Sequence, residues 1–177
     1  MVKIIAHRGF WLMSEEMNTE VAFNRALKAG FGIETDVRDF NEELVISHDI
    51  PISVGYSFEE FLLLYVDLSH NIEHPPCLAI NIKSDGLQNK INSLLEKYQI
   101  KNYFLFDMSV PDTLGFIAKN LTAFSRVSEL EGNDTLNEIS DGIWLDQFYG
   151  TWYTPKYLNF LVEKYSQICI LSSELHG

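Results

Sequence analysis

Phe31-Gly32-Ile33-Glu34-Thr35-Asp36-Val37 reads as a β-strand. β-Branched and aromatic residues recur at alternate positions, and Gly30 punctuates its start. Side chains alternate across a strand, so Glu34 and Asp36 share one face. Phe31, Ile33, Thr35 and Val37 form the opposite, largely apolar face. Two carboxylates facing together repel unless a cation lies between them. Oxygen-only ligation favours a hard cation, Mg²⁺ or Ca²⁺.

Outward from this strand, short β-rich runs alternate with amphipathic helical runs. Residues 3–6 read as a first strand and 19–29 as a helix, with Asn18 as its expected N-cap and Gly30 as its stop. Residues 44–47 are a further extended segment. Residues 58–66 are a helix opened by Ser57, with Glu60 at the capping-box position. Strands then follow at 77–82, 103–106, 122–127, 142–148 and 168–171. Helices at 87–98, 111–119, 135–139 and 155–165 separate them, two of them with proline in the first turn. Repeated βα units imply a parallel sheet covered by helices. The first turn, His7-Arg8-Gly9-Phe10-Trp11, lacks the glycine-rich phosphate loop of an open doubly wound sheet. The expected fold is therefore α/β, a TIM (β/α) barrel. A full barrel takes about 250 residues, so this one is expected to stop after its seventh strand.

The 177 residues suit one domain, 1–177, with a real core. The composition is 46% hydrophobic and 13% aromatic, which is globular and not disordered. Thirteen Lys+Arg against twenty-five Asp+Glu give a net charge of −12. Such a chain is ill suited to nucleic acid or to an anionic membrane surface. An anionic ligand would need a local basic group or a metal. Cys77 and Cys169 sit in apolar runs and are expected to be buried and reduced. The N-terminus does not read as a signal peptide, and residues 61–66 are far short of the roughly 20 needed to span a bilayer. A cytoplasmic protein without membrane insertion is expected.

Polar residues close nearly every strand. The ends carry His7 and Arg8, then Glu34 and Asp36, then His48 and Asp49. Asn81 and Lys83 follow, then Asp107 and Ser109, Arg126 and Glu129, Asp146, and finally Glu174 with His176. In a βα barrel these ends meet on one rim, where active sites are built. Asp49, Asp112, Asp134 and Asp141 are expected to be turn or cap residues. Trp144 is expected to pack between helix and sheet. Trp11 and Trp152, in loops, are open to either packing or ligand contact.

Four motifs in order carry a resemblance. They are Ile5-Ala6-His7-Arg8-Gly9, then Asn18-Thr19 with Ala22-Phe23, then Gly32-Ile33-Glu34-Thr35-Asp36-Val37, then Leu44-Val45-Ile46-Ser47-His48-Asp49. Together they resemble the glycerophosphodiester phosphodiesterase family, a group of TIM-barrel phosphodiesterases. The close match covers about the first fifty residues. The resemblance implies that His7 and His48 are the acid/base pair and that Arg8 binds phosphate. It implies that Glu34 and Asp36 hold Mg²⁺ or Ca²⁺, and that Lys83 neutralises the phosphate. Asp107, Arg126, Asp146 and Trp11 join Arg8 and Lys83 as expected substrate contacts.

Three departures from the family pattern stand out. The third metal carboxylate falls at Asn81, a neutral oxygen donor. The first loop, Glu16-Met17-Asn18-Thr19, runs one residue late. The chain ends at Gly177, before an eighth strand. The exposed barrel edge has two open explanations, a shortened chain or a second copy covering it. The expected activity is hydrolysis of a small soluble phosphodiester. The rival is a weakened barrel that binds phosphoesters without turnover.

Overall fold

The computed structural model describes residues 3–132 and 134–176, with the side chain of His176 outside the described set. The chain divides into two compact units, one through Met108 and one from Ser109.

In the first unit the strands are β1 (Ile5–His7), β2 (Gly32–Phe40), β3 (Glu43–Ile46), β4 (Leu78–Ile82) and β5 (Tyr103–Phe106). Their order is β1-β2-β4-β5, with β3 on β2. All pairs are parallel except β2 with β3. The parallel register sets His7 beside Glu34 and Asp36 beside Asn81. Paired residues of neighbouring strands share a face. Ile33, Thr35 and Val37 alternate with Glu34 and Asp36, and all are buried. Leu78, Ile80 and Ile82 continue the odd-numbered face of β2 across β4.

The helices α1 (Glu20–Lys28), α2 (Phe58–Ser69) and α3 (Gln88–Lys97) supply the cover. α1 buries Ala22, Phe23, Ala26 and Leu27, one stripe at helical spacing. It ends in a Schellman motif at Gly30, φ +75°. There Gly30 N donates to Leu27 O and Phe31 N to Ala26 O, both at 3.0 Å. Ser57 and Glu60 form the expected capping box of α2. Phe23, Phe58 and Phe61 pack together in the core.

Two local features differ from expectation. Asn18 is not the N-cap of α1; Thr19 is, without a side-chain cap bond. The Asn18 side chain is used elsewhere, as described below. The extended segment at 44–47 is the second arm of a hairpin whose turn, Asn41-Glu42, has φ of +49° and +69°. Positive φ at both central residues is the geometry of a tight two-residue hairpin turn.

The second unit holds β6 (Phe124–Val127), β7 (Gly142–Leu145) and β8 (Ile168–Ile170), parallel and in that order. Its helices are α4 (Val110–Ile117), α5 (Asp134–Ile139) and α6 (Pro155–Lys164). Pro111 and Pro155 sit in first turns, and Ser109 and Thr154 cap them. Val127, Ile143, Leu145 and Leu161 form a core against which Trp152 and Tyr157 pack. Trp144 is buried, as expected for a packing residue. Among the described residues, no helix is long and apolar enough to cross a membrane. Cys77 and Cys169 are half-buried rather than fully buried as expected, and no disulfide joins them to each other.

Candidate active site

The turn after β1 is fixed before any ligand is considered. Gly9 has φ +83°, and a Cβ there would lie 2.8 Å from Ala22 Cβ and 2.9 Å from its backbone carbon. Only glycine lets the His7-Arg8 turn settle this closely on α1. Arg8 itself has φ +53°, a left-handed conformation rare for a bulky side chain. Its backbone N–H donates to Glu34 Oε2 at 3.0 Å. Trp11 Nε1 donates to the carbonyl of His7 at 3.0 Å, which closes the turn from the other side.

Six of the expected site residues form one cluster. His7 Nε2 lies 3.7 Å from Glu34 Oε2. Arg8 Nε lies 3.2 Å from Asp36 Oδ2, as an ion pair outside hydrogen-bond geometry. Lys83 Nζ lies 3.6 Å from Asp36 Oδ1 and 3.0 Å from Asp107 Oδ2. Glu34 and Asp36 are almost wholly buried. Asp107 thus meets Lys83, and its φ of +71° bends the chain sharply there.

The electrostatics follow from burial. Burial, then the neighbouring Asp36, raises the Glu34 carboxyl well above the usual carboxylate range. Burial, then the Arg8 charge, lowers His7 to about 4, so its imidazole is neutral at pH 7. Burial also lowers Lys83, against the pull of Asp36. His48 is more exposed. Its Nδ1 meets Asp49 Oδ1 at 2.8 Å, and its carbonyl accepts from Arg38 Nε at 3.0 Å. Ser47 N donates to the carbonyl of Asp36 at 3.0 Å, which brings this segment alongside β2. The His48 charge contributes to the depression of His7.

Asn18, which capping logic assigns to the start of α1, reaches the cluster instead. Its Nδ2 donates to Asp36 Oδ2 at 2.8 Å. Its Oδ1 accepts from Thr35 Oγ1 at 2.9 Å, and its backbone N donates to Arg8 O at 2.9 Å. The signal was present in the Asn18-Thr19 pair, but capping logic sees only local chain.

The donors suit a hard divalent cation. Asn81 lies beside Asp36 in register, and its buried Oδ1 has no hydrogen-bond partner. A buried carbonyl oxygen without a donor is costly unless a cation meets it. Glu34, Asp36 and Asp107 bring three carboxylates against the two cations Arg8 and Lys83. Burial and the neighbouring Asp36 disfavour the ionised form of Glu34, and a cation between the two carboxyls would favour it. No group of three or more His, Cys, Asp or Glu in metal-holding geometry occurs among the described residues. The fit therefore depends on the neutral Asn81 oxygen as third donor.

Arg126 and Asp146 belong to the second unit. Arg126 Nε lies 3.5 Å from Asp146 Oδ2, and its Nη1 lies 3.2 Å from Glu131 Oε1. The guanidinium also stands over Phe148, 5.6 Å from the ring centre. Trp152 Nε1 donates to the carbonyl of Asp146 at 2.8 Å, which favours packing for this tryptophan.

Neither a family model nor a curated protein sequence matches the chain. Solved structures do. A phosphodiesterase from Oleispira antarctica, in complex with the product sn-glycerol-3-phosphate, aligns with a TM-score of 0.75 at 14% identity. That alignment covers 97% of this chain and 84% of the other. A putative glycerophosphoryl diester phosphodiesterase from Silicibacter pomeroyi gives 0.74 at 14% identity, over 97% and 82%. A glycerophosphodiester phosphodiesterase from Agrobacterium tumefaciens gives 0.62 at 18% identity, over 99% and 97%. With its parallel βα units and these neighbours, the chain has the TIM-barrel-like fold seen in glycerophosphodiester phosphodiesterases.

Proposed function

We propose that this protein is a metal-dependent phosphodiesterase acting on a small glycerophosphodiester-like molecule. The observation that carries the reading is the gathering of His7, Arg8, Glu34, Asp36 and Lys83 at the ends of β1, β2 and β4. The fold supports it, because relatives in shape are phosphodiesterases, one of them solved with sn-glycerol-3-phosphate. Fold alone does not dictate chemistry, so the weight rests on the cluster.

Glu34, Asp36 and the Asn81 carbonyl oxygen would hold Mg²⁺ or Ca²⁺. Bound there, the cation would offset charge that builds on the phosphoryl oxygens. Arg8 and Lys83 would bind the phosphate itself, the guanidinium by two parallel donors. Asp107 and Asp36 would hold the Lys83 ammonium in place between them. His7 is neutral and can take the proton of the attacking nucleophile. His48, whose Nδ1 meets Asp49 Oδ1, can give a proton to the leaving alkoxide. One P–O bond forms, the other breaks, and the alcohol leaves neutral. Trp11 lies on the same turn and offers an aromatic face to the substrate.

The test is release of alcohol from a panel of glycerophosphodiesters, with Mg²⁺, Ca²⁺ or chelator. Metal-dependent turnover that His48→Ala abolishes is expected. Turnover unaffected by chelator and by His48→Ala would refute the reading.

A further inference from the structure

Two apolar loops leave the charged cluster. The first follows His7 and Arg8 and exposes Phe10, Leu12 and Met13. The second follows His48 and Asp49 and exposes Ile50, Ile52 and Val54, with Ile52 97% exposed. The roots of both loops lie against β2: His7 is paired in register with Glu34, and Ser47, which also lines the hollow described next, donates its N–H to the carbonyl of Asp36 at 3.0 Å. Ile50, Pro51 and Ile52 also line an open hollow of about 280 Å³, backed by Val45 and Ile46. The first loop is not slack. Leu12 N donates to Glu16 Oε2 at 2.8 Å, and Arg25 ties Glu16 to the Phe10 carbonyl.

Scattered exposed aliphatic residues need no explanation, but a group of them beside a charged site does. The cluster attracts an anionic head through Arg8 and Lys83. The loops at its rim favour a hydrocarbon. A ligand that satisfies both is an anion joined to an alkyl chain. An anionic membrane surface is a poor match for a chain of net charge −12.

We propose that the second loop, residues 50–54, receives an alkyl chain on the leaving alcohol, so that the substrate class is an amphiphilic phosphodiester. This rests on the phosphodiesterase reading and names the substrate of that same site. It goes beyond small soluble diesters.

The experiment uses glycerophospho-n-alkanols from ethyl to octyl, each below its micellar concentration, with Mg²⁺ or Ca²⁺. The expected kcat/KM rises about two- to fourfold per added methylene, the gain from burying a CH₂, until the hollow is filled. In the triple variant Ile50→Ser, Ile52→Ser, Val54→Ser the octyl-to-ethyl ratio falls at least tenfold. The ratio cancels any general loss of activity, and circular dichroism checks folding. A flat series in the wild type, or an unchanged ratio in the variant, overturns the proposal.

A second readout separates it from the catalytic reading. Calorimetry compares n-octyl phosphate with ethyl phosphate on metal-free protein. Tighter octyl binding that the triple variant loses, without turnover of any diester, would support the alkyl site and remove the catalytic reading. Equal binding of the two phosphates overturns the alkyl site. Wild-type self-association that the variant abolishes, together with a flat series, would assign the loop to a second copy of the chain and also overturn it.

Discussion

Asn18 Nδ2 donates to Asp36 Oδ2 at 2.8 Å, while Asn18 N donates to the carbonyl of Arg8 at 2.9 Å. One residue therefore ties the His7-Arg8 turn to the buried carboxylate. It does so from a left-handed conformation, φ +57°, that asparagine tolerates better than most residues. Asn18→Gly keeps that backbone and removes the side chain. It should cost about 1.5–3 kcal/mol, the worth of a hydrogen bond to a charged group. Asn18→Ala should cost roughly 1–2 kcal/mol more, for the left-handed backbone. Urea unfolding of both variants checks this. Equal midpoints for the two would show that the backbone conformation carries no cost.

Gly9 and Gly30 separate strain from crowding. Both have positive φ, but nothing lies within 4 Å of a Cβ at Gly30, whereas a Cβ at Gly9 meets Ala22 at 2.8 Å. Gly30→Ala should cost roughly 1–2 kcal/mol, for conformation alone. Gly9→Ala should add about 1–3 kcal/mol of overpacking against α1. If the two substitutions shift the urea midpoint alike, the close approach of the His7-Arg8 turn is wrong.

Cys77 gives a pH dependence with a definite sign. Burial pushes its thiol from about 9 up to about 11. The unfolded chain releases this proton first, so the contribution to stability is complete below pH 9 and is lost as pH rises to 11. Iodoacetamide should label Cys77 slowly at pH 8 in the folded protein and quickly in urea, read by mass spectrometry. Rapid labelling of the folded protein at pH 8 would contradict the burial.

Asn81 tests the cation reading without catalysis. Its unpartnered Oδ1 sits beside Asp36. Asn81→Glu would add a charged oxygen donor at that place. Mg²⁺ or Ca²⁺ affinity should rise at least tenfold by calorimetry. An unchanged affinity would exclude Asn81 from the cation site.

What was legible in the sequence was periodic or local. The alternation around Glu34 and Asp36 gave the strand and its shared acidic face, because side-chain direction has a period of two. Ser57 and Glu60 gave the capping box of α2, because both partners lie within one turn. Gly30 gave the end of α1 for the same reason. The unread features are those whose cause lies far along the chain. Asn18 has the composition of a cap, yet Asp36, eighteen residues away, claims its side chain. Asp107 and Lys83 are twenty-four residues apart, and only the pairing of β4 with β5 brings them together. The β2–β3 hairpin shows in the sequence only as an extended segment, because Asn41-Glu42 lacks the glycine that usually marks such a turn.

The central claim is that one cluster holds both the cation and the phosphate. The most direct measurement is a crystal structure of the protein with Ca²⁺ and sn-glycerol 3-phosphate. The account predicts Ca²⁺ among oxygens of Glu34, Asp36 and Asn81, with the phosphate within hydrogen-bond reach of Arg8 and Lys83. A phosphate bound away from both cations, or no Ca²⁺ on those oxygens at saturating concentration, would contradict it.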